Sequence, residues 1–111
     1  MEGKYENKLF LGFLHLHILY HASKHPFYGV WMLEELREHG YHIGPSHLYP
    51  LLKEMTKSGF LEMESRTENK KMRKYYRMTE SGNRLMNELL VKVKELTNEV
   101  FQSKVLSEVH E

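Results

Sequence analysis

Two stretches decide the fold: Gly44-Pro45-Ser46-His47-Leu48-Tyr49-Pro50-Leu51-Leu52-Lys53, and further on Lys70-Lys71-Met72-Arg73-Lys74-Tyr75-Tyr76-Arg77. In the first, Gly-Pro breaks the chain and the Ser46 hydroxyl is placed to cap a helix. That helix turns Leu48, Leu51, Leu52 and Met55 inward and stops at Gly59. Pro50 falls in or just past its first turn, where a missing N–H is tolerated. The second stretch is the return half of a hairpin. Leu61 and Met63 alternate with Glu62 and Glu64, the period of a strand with one buried face. Glu68-Asn69-Lys70 is turn-like, and the strand from about Met72 to Met78 puts Tyr76 and Met78 on one side and Arg73, Tyr75 and Arg77 on the other.

Upstream, residues 7–24 read as one helix with Leu9, Phe13, Leu16 and Tyr20 on a stripe. Phe10, Leu11, Leu14 and Ile18 spread apolar surface around much of its circumference, so more than one side must be covered. Pro26 suits the start of a second helix, which runs through Val30, Leu33 and Leu36 to a stop at Gly40. Gly29 in its first turn implies a close backbone contact. Downstream, Thr79 caps a last helix and Glu80 lies near its positive end. Along it Leu85, Leu89, Val93, Leu96 and Val100 recur at helical spacing, with Met86, Leu90, Phe101 and Val105 widening the stripe. Continued to about Val109, such a helix is about 45 Å long, more than a small domain covers. Its outer half either folds back as a lid over the first two helices or packs on a second copy of the chain, which would cover the first helix as well.

A chain of 111 residues, 41% of them apolar, supports a single structural unit, with residues 1–79 as the head and 80–111 as the long helix. The absence of cysteine excludes disulfides, a thiolate nucleophile and cysteine-ligated zinc. The apolar run from Leu9 to Tyr20 imitates a signal peptide. His15 and His17 interrupt it, and it falls short of the roughly 20 residues that span a bilayer. A cytoplasmic location without membrane contact is expected. The net charge of +1 hides its distribution: residues 45–79 carry eight Lys/Arg against four Asp/Glu, whereas 1–44 are net −1 and 80–111 net −2. A cationic zone on a near-neutral body is either a solvated lysine-rich turn or the footprint of a phosphate-binding face.

Three helices, a two-stranded wing and a long final helix make a mainly α (α+β) winged helix-turn-helix. The chain resembles the PadR family of transcriptional regulators in several separated motifs: Leu11-Gly12-Phe13-Leu14 with Ile18-Leu19, Pro26-Phe27-Tyr28-Gly29, Leu48-Tyr49-Pro50-Leu51-Leu52, Gly59-Phe60-Leu61, and Tyr75-Tyr76-Arg77-Met78-Thr79-Glu80-Ser81-Gly82. The resemblance runs through roughly residues 9–82. It implies a homodimeric repressor joined through its C-terminal helix, in the short subgroup that has one such helix. Two departures stand out. His47 occupies a place where a small residue is common, and Val30-Trp31-Met32 replaces a more polar stretch.

In a winged helix the front of the third helix enters the major groove of double-stranded DNA, where base edges differ. Ser46, His47 and Tyr49 stand there, and Lys53 and Lys57 follow at phosphate-contacting positions. Tyr49 serves equally well as a core residue with a wet hydroxyl. The wing offers Arg66, Lys70, Lys71, Arg73, Lys74 and Arg77. Two symmetric heads about 34 Å apart suit a pseudo-palindromic operator. The homodimer interface is expected at Phe10, Leu14, Leu85, Leu89, Val93, Leu96, Val100 and Phe101. Of these Phe10, Leu14, Val93, Leu96 and Phe101 either line a pocket for a small hydrophobic effector or simply pack.

His17, His21 and His25 are spaced to share one side of a helix, and His15 and His39 add imidazoles. No Glu or Asp nearby in sequence completes a zinc set, so neither a metal nor a cofactor is expected. A protonation-sensitive interface and ordinary polar histidines remain as readings. No nucleophile elbow, phosphate loop or His-Glu metal motif is present, which argues against an enzyme. The alternatives are a winged-helix protein-protein adaptor and, more remotely, a histidine-based metal-dependent enzyme.

Overall fold

A computed structural model describes residues 3–102. Its elements are α1 (Lys4–Ala22), β1 (Phe27–Tyr28), α2 (Gly29–Glu38), α3 (Pro45–Lys57), β2 (Leu61–Glu68), β3 (Lys71–Met78) and α4 (Glu80–Val100). Ile18, Met32, Leu36, Leu48, Leu52 and Leu61 are essentially inaccessible and join α1, α2, α3 and the sheet in one core. Each such side chain contributes about 1.5–3 kcal/mol through burial. The buried line of α1 is Leu14–Ile18–Ala22, at helical spacing. Leu9, Phe13 and Tyr20, from the expected stripe, face outward instead.

Pro26 does not start a helix. The aromatic pair after it forms a short strand, because Phe27 and Tyr28 find cross-strand partners on β3 and α2 begins only at Gly29. Phe27 stacks on Tyr76 with centroids 5.6 Å apart, and Tyr28 meets Tyr75 edge-on at 5.5 Å. The expected two-stranded wing is thus a three-stranded antiparallel sheet of order β1-β3-β2. Leu61 pairs with Met78 at its base, and Glu68 with Lys71 at its tip. Asn69 and Lys70 close the hairpin with φ of 50° and 65°, as a two-residue turn of this hand requires. Only Leu61 of β2 is buried. Met63, expected inside, is 43% exposed because an open groove separates it from Lys53, Thr56 and Lys57 of α3.

The N-cap of α3 is Gly44, not Ser46, whose hydroxyl makes no cap bond. Pro45 takes the first helical position, where a missing N–H costs nothing. Pro50 therefore lies one turn deeper than expected, inside the helix, and leaves the Ser46 carbonyl without its usual donor. The helix stops as read, with Gly59 at φ +85°.

Thr79 caps α4 as expected, its Oγ1 accepting from the Gly82 N–H at 3.0 Å. The first half of α4 lies along α1, with Leu85 and Leu89 beside Gly12 and Leu19. Beyond it Leu90, Val91, Val93, Leu96 and Phe101 are exposed. Val105 and Val109 lie outside the described residues. Among those described, no helix is long and apolar enough to cross a membrane.

The α1 histidines do not form the row their spacing suggests. The helix ends at Ala22, and His25 turns back to donate from Nδ1 to the Pro26 carbonyl at 2.8 Å. The His17 ring shares a hydrogen bond with the Tyr41 hydroxyl. Burial first, and then the neighbouring His39, His17 and His25, hold His21 below the ordinary histidine range.

Candidate nucleic-acid interface

On α3, Ser46, Tyr49, Lys53 and Lys57 succeed one another at helical spacing and form an exposed stripe, turned away from buried Leu48, Leu52 and Met55. His47 is exposed beside that stripe, near Pro50 and the turn from Gly40 to Ile43. Glu54, the acidic residue of the helix, leans the other way toward His15 of α1. Tyr49 is partly packed and partly exposed. Its ring presses on Gly29, where a Cβ would come within 2.3 Å of it, yet 40% of the residue stays exposed. The close contact anticipated at Gly29 is therefore a seat for an aromatic ring on the α3 stripe.

Between that stripe and the hairpin runs a groove. Its borders include Lys53 and Lys57 from α3 and Lys74 from β3, its floor Met63 and Tyr76, and no carboxylate lines it. The unexpected exposure of Met63 supplies part of this floor. Among the described residues none of the three ammonium groups is in an ion pair, which leaves them open to external anions.

The opposite face of the hairpin is also basic but is internally satisfied. Register places Glu62, Glu64, Arg66 and Glu68 opposite Arg77, Tyr75, Arg73 and Lys71. Arg77 pairs with Glu62 at 3.0 Å and Arg66 with Glu64 at 2.9 Å, and the Arg66 hydrogen bond holds Glu64 below the usual carboxylate range. Arg66 also stacks over Tyr75 at 4.4 Å, and Arg73 over Tyr28 at 4.3 Å. Four cations less three carboxylates leave this face only +1. Sequence reasoning missed Tyr28 as the residue that holds Arg73. Its signal was an aromatic pair directly after a proline, which suits an edge strand as well as a helix start. Lys70 stands at the exposed hairpin tip.

The apolar residues assigned to an interface fall into three groups, of which Leu85 and Leu89 pack half-buried against α1 of the same chain. Phe10 packs on Tyr41 at 5.3 Å, Leu14 is buried in the chain's own core, and both border a depression with Ile43, His47 and Leu51. Val93, Leu96 and Phe101 lie on the outer half of α4, with Val100 half-buried among them.

Residues 18–88 match the model of the transcriptional regulator PadR-like family. A transcriptional regulator of Mycobacterium tuberculosis is 38% identical over 85 residues, which is 77% of this chain and 79% of the relative. A PadR family transcriptional regulator from Eggerthella lenta superposes with a TM-score of 0.75 at 31% identity, covering 86% of this chain and 85% of its own. A PadR-like transcriptional regulator from Bacillus cereus gives 0.74 at 27%, covering 87% and 99%.

Proposed function

The chain belongs to the PadR-like family of transcriptional regulators, which bind DNA and are not enzymes, and from that premise we propose that it works as a homodimeric, ligand-responsive repressor. The observation that carries its mode of DNA binding is the lysine groove without a carboxylate between α3 and β3. In this reading Ser46, His47 and Tyr49 meet base edges in the major groove, while Lys53, Lys57 and Lys74 grip the flanking phosphates. Lys70 and Lys71 extend the contact at the wing tip. Arg66, Arg73 and Arg77 contribute less, being held by Glu64, Tyr28 and Glu62.

Dimerisation is supported by the uncovered apolar surface of α4, chiefly Leu90, Val93, Leu96 and Phe101, together with Leu9 and Phe13 of α1. Large apolar side chains exposed side by side along a helix mark a protein interface. Two heads joined through it address a pseudo-palindromic operator with half-sites about 34 Å apart. A small apolar effector bound between the chains would act by favouring one dimer geometry, since equal affinity for both shifts nothing.

Fluorescence anisotropy with duplexes from upstream of the protein's own gene tests the reading. The expected result is one duplex bound at least about a thousandfold more tightly than unrelated sequence at the same salt. Equal binding to every duplex would remove the repressor assignment. In sedimentation the protein should be a dimer at micromolar concentration and Leu96→Glu largely a monomer. A monomeric parent chain would contradict the dimer.

A further inference from the structure

Where α1 crosses the C-terminal end of α2, three side chains converge that the DNA-binding face does not use. An imidazole nitrogen of His21, a carboxylate oxygen of Glu35 and an imidazole nitrogen of His39 all lie within 4.8 Å of one another. His21 is only 6% exposed, and its Nε2 is buried without a hydrogen-bond partner. A buried polar atom left unmatched is costly and needs a reason. Glu35, half-buried in the same corner, has no ion pair or side-chain hydrogen bond among the described residues. The sequence hid this set, because the carboxylate comes from a different helix than His21 and only packing brings it across.

We propose that His21, Glu35 and His39 bind a first-row divalent transition cation such as Zn2+, fastening α1 to the end of α2. Two imidazoles and one carboxylate suit zinc, cobalt, nickel or copper, whereas calcium and magnesium want oxygen ligands throughout. Metal–ligand bonds of about 2.0–2.1 Å set neighbouring donors roughly 3.4 Å apart in a tetrahedron, so separations within 4.8 Å must close by at most about 1.4 Å. The side chains best able to move supply that closure. His39 is an exposed residue at the C-cap of α2, and Glu35 is one turn before it and half-buried. His21 is the fixed anchor. Three protein ligands leave a fourth position for water on the exposed side of His39. The His17 ring stacks on His39 with centroids 5.0 Å apart and is itself held by the Tyr41 hydroxyl, which supports the orientation of His39.

The test reads metal uptake alone, so it stands apart from the DNA-binding reading. The full chain, metal-stripped and without a histidine tag, is titrated with ZnCl2 by calorimetry and with CoCl2 by visible absorption. One equivalent per chain is expected at micromolar affinity or better, with a tetrahedral cobalt spectrum. Glu35→Gln and His39→Gln, both on accessible side chains, should each weaken uptake by about tenfold or more. His42→Gln, an exposed histidine outside the cluster, should leave uptake unchanged. No uptake by the parent chain would overturn the site. So would uptake that survives intact in the Glu35→Gln/His39→Gln double variant, since it would then belong to scattered surface imidazoles.

Discussion

The far face of the hairpin carries four cations and the α3-facing side contributes one, Lys74, to a groove of three lysines, yet the two surfaces differ in what those cations can do. Toward α3, Lys74 joins Lys53 and Lys57 around a groove with no acid in its lining. On the far face, Arg66 and Arg77 are paired with Glu64 and Glu62, and Arg73 and Arg66 lie on aromatic rings. The lesson is that available charge, not total charge, marks a phosphate-binding surface. Exposed ion pairs such as these add little stability. Their effect is to occupy the arginines and to pin the hairpin's geometry.

The sharpest way to break this contrast is to empty the groove. Lys53→Ala, Lys57→Ala and Lys74→Ala together should weaken operator binding at least on the order of a hundredfold at moderate salt and reduce the slope of log affinity against log salt by about 2.7 per head, or about 5.4 for the dimer. Anisotropy titrations across a salt series measure both. An unchanged slope would mean that the groove is not the phosphate-binding surface.

The tip comes next. A lysine at φ 65° costs about 1 kcal/mol that glycine would not, and glycine is the usual second residue of such a turn. Lys70→Gly should therefore raise the melting temperature by about 4 °C while weakening DNA binding by roughly threefold to tenfold. A gain in stability without loss of affinity would make Lys70 a mere turn residue.

A smaller effect is expected where the groove meets α2. Gly29→Ala puts a methyl group into the Tyr49 ring, whose hydroxyl end is free to swing outward. Operator affinity should change by about fivefold, with salt slope and melting temperature nearly constant, because the ring moves and no charge is lost. Smallest of all should be the double change Arg66→Gln and Arg77→Gln, at less than about twofold in affinity. A large loss there would erase the distinction between the faces.

Much of this was legible in the chain. The Thr79 cap, the stop at Gly59 and the hairpin turn at Asn69-Lys70 depend on residues within a few positions of one another, and each is found where its chemistry places it. The misreadings share the opposite character. Phe27-Tyr28 became a strand because β3 lay beside it, and Met63 stayed exposed because α3 faces it across an open groove. Ser46 lost the cap because Gly44-Pro45 entered the helix earlier, which also carried Pro50 inward.

By itself the sequence determined the order of elements, the long apolar final helix and a basic middle third, since periodicity, caps and composition act over short stretches of chain. Tertiary structure decided which cations face an acid, which aromatic ring holds an arginine, and that Glu35 meets two histidines beside α1. Those outcomes depend on strand register and helix crossing, which bring together side chains far apart in sequence, and electrostatic strength is set by distance and surroundings once they meet.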